Sequence, residues 1–334
     1  MSMIRAAITS VGKFLPERVL TNKDLENIVD TSDEWIVQRT GIRSRHVLEA
    51  GAGNSYMARF AAEDCLNRIN VAPSEIDTII VGTVTPDTMF PSTACLVQNL
   101  IGADNAWGFD LSAGCSGFLF GLITGAQFIE SGRFKKVLLI GSDVMTSIIN
   151  PEDRSTCVLF GDGAAAVLLE PSVDSELGVI DVISHIDGAG APYLNMKAGG
   201  SKKPATIETV KNKEHFVYQD GKTVFKYAVK NMADVAVMMM KRNNIRSDDL
   251  DLFVPHQANL RIIEACAKRM HIDSDKVAIN VDKYANTTSG TLPLALCDAQ
   301  EQGRLKKGDR VIIAAFGAGF AWGSVYLRWA MDGH

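Results

Sequence analysis

No stretch of the 334-residue chain holds the roughly 18 consecutive apolar residues that a membrane-spanning helix needs. No C-x-x-C pair occurs among its six cysteines, Cys65, Cys95, Cys115, Cys157, Cys266 and Cys297, which removes the usual zinc and redox spacings. Most of them are expected to be small buried hydrophobes in a reducing compartment. Long basic runs are also missing, and the net charge is -5. Such a chain has no global attraction to nucleic acid or an anionic membrane, so an acidic partner must meet a local basic patch. The opening MSMIRAAITSVGKFLPERV is interrupted by charge, Gly and Pro after short apolar runs. It lacks the profile of a secretory signal, and a cytoplasmic protein is expected. What is present is a hydrophobic fraction of 46% with 22% charged residues, the mixture of a globular chain with a large core. The length predicts two domains or two joined halves.

The chain repeats itself. CLNRINVAPSEIDTIIVG from Cys65 and MMKRNNIRSDDLDLFVPH from Met239 both read as a helix end, a polar turn and an apolar strand. Asp77 aligns with Asp251 and Gly82 with His256, at a constant offset of 174. AQFIESGRFKKVLLIG from Ala126 resembles AQEQGRLKKGDRVIIAAFG from Ala299, and FGDGAAAVLL from Phe160 resembles FGAGFAWGSVYL from Phe316. Three matches in the same order predict a duplicated α/β architecture, five layers deep, α-β-α-β-α. The polar break PSVDSEL divides it into residues 1–175 and 176–334. Residues 188–222, rich in Gly, Lys and Pro, form an insertion of a length that is more often a lid or entrance wall than a decorative loop.

Three residues stand where chemistry is done. Cys115, in FDLSAGCSGFLFGLITGAQ, follows a short strand and a turn of small residues and opens a long apolar helix. A helix N-terminus can bring a thiol from ~8.5 down to ~3.5–7.5, making thiolate available at neutral pH. A cysteine is by default a core residue, but the turn and its small neighbours favour a nucleophile. His256, in LDLFVPHQANLRIIEAC, ends a strand, where α/β proteins place their ligands; the helix after it has Asn259 as a candidate N-cap. The other five histidines have no such setting. Asn286, in INVDKYANTTSGTLPLAL, reads as part of a strand-to-helix turn and alone would suit a cap or turn. Counting back 17 residues from Gly132 gives Cys115, and from Gly303 gives Asn286, which makes the two repeat-equivalent. Cys and His alone would also suit a papain-like hydrolase, but the duplicated layers are not the fold of one.

With these strings in view, the chain resembles the β-ketoacyl-[acyl-carrier-protein] synthase III family of bacterial fatty-acid synthesis. The match runs through LPERVLTNKDLENIVDTSDEWIVQRTGIRSRH, TMFPSTACLVQ, AGCSGF, PEDRSTCVLFGDGA, TVFKYAV, VPHQANLRII, YANTTSGTLPLAL and FGAGFAWGS. The resemblance implies the five-layered thiolase-like fold and a homodimer that condenses acetyl-CoA or another short acyl-CoA with malonyl-acyl-carrier-protein, releasing CoA and carbon dioxide. No cofactor or metal is expected. Cys115 would be the acylated nucleophile; His256 and Asn286 would donate to the malonyl thioester carbonyl. The backbone amides of Cys115 and Ala318 would hold the oxyanion, with Phe316 packed near the thiol. Trp35 and Arg154 would sandwich the CoA adenine beside Thr31 and Arg39, and Asn259 would contact the pantetheine arm. Arg261 and Lys268 on one helix, and Lys226 and Lys230 on another, are the cationic pairs expected to dock the acidic carrier protein. Phe90 would cross the dimer interface to floor the partner's acyl pocket.

The sequence departs from the family pattern at Ala285, at Ala318, where many members have Gly, and at Lys222, where an Asn often lines the pantetheine channel. Three rivals remain at this stage. A thiolase would bring a second reactive Cys where Asn286 stands. A secondary-metabolism relative would load another starter. A non-catalytic chain-length subunit would lack the intact Cys115–His256–Asn286 set.

Overall fold

The computed structural model describes residues 4–172 and 174–333. The first half builds a five-stranded sheet from β1 (Ala6–Phe14), β2 (Thr78–Gly82), β3 (Trp107–Leu111), β4 (Val137–Val144) and β5 (Asp162–Pro171), in the order β1-β5-β4-β2-β3. The second half builds a four-stranded sheet from β6 (Gly178–Ile186), β7 (Leu252–Pro255), β8 (Arg310–Gly317) and β9 (Ala321–Arg328), in the order β7-β8-β9-β6. Read from β6, the second order repeats the first. The place of β3 is taken by a single bridge from Phe253 to Val277. β2 and β7 are buried along their whole length, as parallel strands covered on both faces should be.

The principal helices are α1 (Asp33–Thr40), α2 (Asn54–Asn67), α3 (Thr93–Ile101), α4 (Gly117–Glu130), α5 (Gly221–Arg242), α6 (Leu260–Met270) and α7 (Thr291–Glu301). α2 and α3 cover the outer face of the first sheet, α5 covers the second sheet with α6 packed beside it, and α4 with α7 fill the space between the sheets. These are the five layers. α4 is apolar nearly all round because it has sheet on both sides. Its glycines recur every fourth residue for a steric reason: a Cβ on Gly121 would stand 2.5 Å from a Leu139 methyl, and one on Gly125 2.8 Å from a Leu169 methyl. No described helix is long and apolar enough to cross a membrane. Five of the six cysteines are buried as expected, and Cys95 is exposed.

The duplication extends to single hydrogen bonds. Asp77 accepts from the backbone N–H of Lys136 at 2.9 Å, and Asp251 from that of Arg310 at 2.7 Å. Asn70 and Asn244, 174 apart, both take a left-handed φ, 54° and 53°. The same offset corrects one equivalence drawn from the sequence. A 3-10 turn at Gly114–Ser116 precedes α4, and its counterpart at Thr288–Gly290 precedes α7. Gly114 and Thr288 share φ 54°. The repeat-equivalent of Cys115 is therefore Ser289, and Asn286 lies three residues ahead of it. Counting from the C-terminal glycines misled because α7 has 11 residues against 14 in α4. No regular strand precedes Asn286 either; it follows a single helical turn, Val281–Tyr284.

Candidate active site

One cavity of about 620 Å³ gathers the three sequence-marked residues. Cys115 reaches it from the 3-10 turn after β3, one turn before α4 begins rather than at the helix start itself. The turn is crowded. A Cβ on Gly317 would lie 2.6 Å from the Cys115 nitrogen, and one on Gly114 2.8 Å from the Ala318 nitrogen. The β8–β9 hairpin thus lies directly on the Cys115 turn, bringing the Cys115 and Ala318 amides into one corner. Ala318 is not among the left-handed residues, so its methyl carries no backbone strain. Ala285 is among them, at φ 56°, and there the side chain replaces the glycine that conformation favours.

His256 follows β7, its N–H bonded to the Ala314 carbonyl at 2.8 Å, and its Nδ1 lies 2.7 Å from Thr291 Oγ1. Burial without a charged partner lowers its pKa to about 3, so the ring is neutral. Asn286 is pinned to the first half. Its N–H donates to Leu159 O at 2.9 Å, and its carbonyl accepts from Gly161 N at 3.1 Å. Oδ1 accepts from Thr288 N at 2.9 Å, which fixes the amide rotamer and leaves Nδ2 as the donor for the cavity. Cys115 does not behave as its place before a helix led us to expect. Burial, and then the nearby Asp143, push the thiol up to about 12, against the opposing hydrogen bonds of Asn286 and Thr288. At rest the Cys115 side chain is therefore a thiol.

Asp143 went unnoticed in the sequence. It is fully buried at the end of β4 and accepts from Val84 N at 2.8 Å, Thr85 Oγ1 at 2.8 Å and Ser289 N at 3.1 Å. It ties the turn after Asn286 to the loop after β2. Its signal was a lone carboxylate in the otherwise uncharged strand VLLIGSDV. Met145, Ile148, Val224, Phe225 and Ile262 make the apolar walls, and nothing in the sequence singled them out.

The remaining predicted residues fall into three groups. Phe316, Ala318, Trp35, Arg39 and Asn259 line the cavity. So does the insertion, which folds into a hairpin of Leu194–Met196 with Val217–Gln219. Asn259 caps α6, accepting from Arg261 N at 2.9 Å and donating to Arg39 O at 3.1 Å; part of its hydrogen-bonding capacity is thus structural. At the rim, Arg154 already lies on Trp35, 4.8 Å from the ring centroid, and donates to Asp30 O at 2.8 Å. A purine between them requires the exposed Arg154 to swing outwards. Thr31 Oγ1 is buried with no hydrogen-bond partner among the described residues. Lys226 and Arg261 are exposed outside the cavity, with Arg261 5.2 Å from the Phe225 ring that lines it. Lys222 is exposed and does not line the cavity. Phe90 is 85% exposed on this chain. It does not staple its own helix start, which Ser92 caps by accepting from Cys95 N.

A duplicated five-layer fold with a thiol, an imidazole and an amide meeting between its halves is that of a thiolase-fold condensing enzyme. Family models described as 3-oxoacyl-[acyl-carrier-protein] synthase III match residues 109–188, and its C-terminal region residues 240–329. The chain is 55% identical to β-ketoacyl-[acyl-carrier-protein] synthase III of Koribacter versatilis over 98% of its length and 99% of the relative's. The solved 3-oxoacyl-[acyl-carrier-protein] synthase III of Aquifex aeolicus superposes with a TM-score of 0.89 at 40% identity, covering 97% of this chain and 100% of that one. A priming β-ketosynthase of the R1128 polyketide pathway gives 0.89 at 34%, covering 97% and 96%. The chain belongs to the β-ketoacyl-[acyl-carrier-protein] synthase III family.

Proposed function

We propose that the protein starts fatty-acid synthesis by decarboxylative condensation of acetyl-CoA, or another short acyl-CoA, with malonyl-acyl-carrier-protein. The observation that carries this reading is the convergence of Cys115, His256 and Asn286 in one cavity of a family member. The Cys115 sulfur attacks the acyl-CoA carbonyl, CoA leaves with the thiol proton, and the acyl group remains on the enzyme, splitting one difficult step into two. Malonyl thioester then binds with its carbonyl oxygen between His256 and Asn286 Nδ2. These donors stabilise the enolate formed as carbon dioxide leaves; one such donor contributes about 3–4 kcal/mol. The enolate carbon attacks the acyl-enzyme, whose oxyanion is held by the Cys115 and Ala318 amides, and collapse expels the Cys115 thiolate, which takes a proton from water to restore the resting thiol.

Trp35, Arg39, Arg154 and Thr31 hold the nucleotide end of CoA on this reading, Asn259 meets the pantetheine, and Lys226 and Arg261 receive the carrier protein. The enzyme works as a cytoplasmic homodimer without a cofactor. The test is release of labelled carbon dioxide from malonyl-acyl-carrier-protein with primers of different length. Acyl-dependent acetoacetyl product supports the reading, whereas no turnover with any primer rejects it. The likeness to a polyketide priming enzyme supports a second reading, an unusual starter, and the same primer panel separates the two.

A further inference from the structure

The His256 ring is neutral, so it carries one proton, on Nδ1 or on Nε2, and only the second arrangement makes the ring a donor towards the cavity. The partner that decides is Thr291, the first residue of α7, 1% exposed. Its hydroxyl lies 2.7 Å from Nδ1 and 3.0 Å from the Thr288 carbonyl. A hydroxyl has a single proton: given to the carbonyl, it leaves Nδ1 to carry the ring proton and donate to the oxygen; given to Nδ1, it puts the ring proton on Nε2. The Thr288 carbonyl already accepts the backbone N–H of Thr291 and has no need of it. Nδ1 has no other partner among the hydrogen bonds of the described residues, and its contact is the shorter of the two.

We infer that Thr291 is the positioning residue that sets the tautomer of His256: its hydroxyl donates to Nδ1, so the ring proton stays on Nε2, facing the cavity. The catalytic consequence rests on the function proposed above; the tautomer does not. In the first half the corresponding residue, 174 earlier, is Gly117, which has no side chain to do this. The two halves have therefore diverged at this position.

Nitrogen-15 NMR of histidine-labelled resting enzyme, with His256 assigned by its loss in His256→Gln, reads the tautomer without turnover. A pyridine-type Nδ1 and a pyrrole-type Nε2 are expected; the reverse pattern overturns the inference. Thr291→Val keeps the shape and removes the proton. Malonyl decarboxylation should fall about ten-fold or more, acetyl transfer to Cys115 should change little, and Thr291→Ser should restore both the rate and the NMR pattern. Equal losses in the two half-reactions, or a Ser variant as impaired as the Val variant, assign Thr291 a merely structural role and overturn it. If Thr291→Val does not fold, the wild-type spectrum and the Ser variant still decide. A wild type with protonated Nε2 but no decarboxylase activity would reject the proposed function and leave the tautomer standing.

Discussion

At the scale of single residues, the three side chains that meet in the cavity, Cys115, His256 and Asn286, are neutral. With its thiol pushed up to about 12 from 9.0, Cys115 should react with iodoacetamide at a rate that climbs through pH 9 and beyond, with no plateau near neutrality. A plateau near 7 would restore the thiolate that the helix-start argument led us to expect. Replacing Cys115 with Ala should abolish labelling by radioactive acetyl-CoA. His256→Ala or Asn286→Ala should leave that labelling intact and lower malonyl decarboxylation by about 10²–10³; lost labelling with intact decarboxylation would reverse the roles. His256 also makes a stability prediction. Its folded pKa of about 3 lies below the 6.5 of an unperturbed ring, so the unfolded chain binds the extra proton between these values. The contribution is full above pH 6.5 and is lost as pH falls towards 3. Urea midpoints of His256→Gln should fall less steeply with acid than those of the wild type.

At the scale of elements, the hairpin between β8 and β9 and the turn before α4 depend on each other. Gly114 sits at φ 54° with the Ala318 nitrogen 2.8 Å from where its Cβ would be. Gly114→Ala costs about 1–2 kcal/mol of backbone strain and displaces the Ala318 amide, the oxyanion donor of the proposed reaction. Acylation of Cys115 should fall steeply while far-UV circular dichroism stays native; wild-type acylation would show that the turn has room to relax. Docking is also a matter of elements. α5 and α6 pack together and display Lys226 and Arg261 outside the cavity. Reversing either charge should raise the KM for malonyl-acyl-carrier-protein far more than that for acetyl-CoA. Equal effects would mean that the patch does not discriminate the carrier protein.

At the scale of the whole molecule, the loop after β2 ends in Met89 and Phe90, 81% and 85% exposed. A ring left in water forgoes about 1.5–3 kcal/mol of burial. On the homodimer reading, that ring enters the partner's acyl pocket and limits the primer. Phe90→Ala should shift activity from acetyl-CoA towards longer acyl-CoA substrates while Cys115 is still acetylated. An unchanged chain-length profile in a variant that sedimentation shows to be dimeric would remove Phe90 from the pocket.

The duplication and its offset of 174 could be read directly from the chain, because two copies of one pattern bury the same faces; the order of strands within each sheet came only with the fold. Cys115 and His256 were legible too, Cys115 from the turn of small residues before an apolar helix and His256 from its place at the end of an apolar strand. Asn286 was found for a reason that the structure corrects: Ser289 is the counterpart of Cys115, and Asn286 enters the site because its backbone pairs with Leu159 and Gly161 of the other half. No local pattern encodes a pairing across 125 residues or more. Asp143 and Thr291 were equally hidden, since a buried carboxylate or hydroxyl acquires its role only from the atoms folding brings to within 3 Å or so. The charge state of Cys115 was the last thing only the fold could decide. The sequence shows the helix that favours thiolate, but not the depth of burial that opposes it.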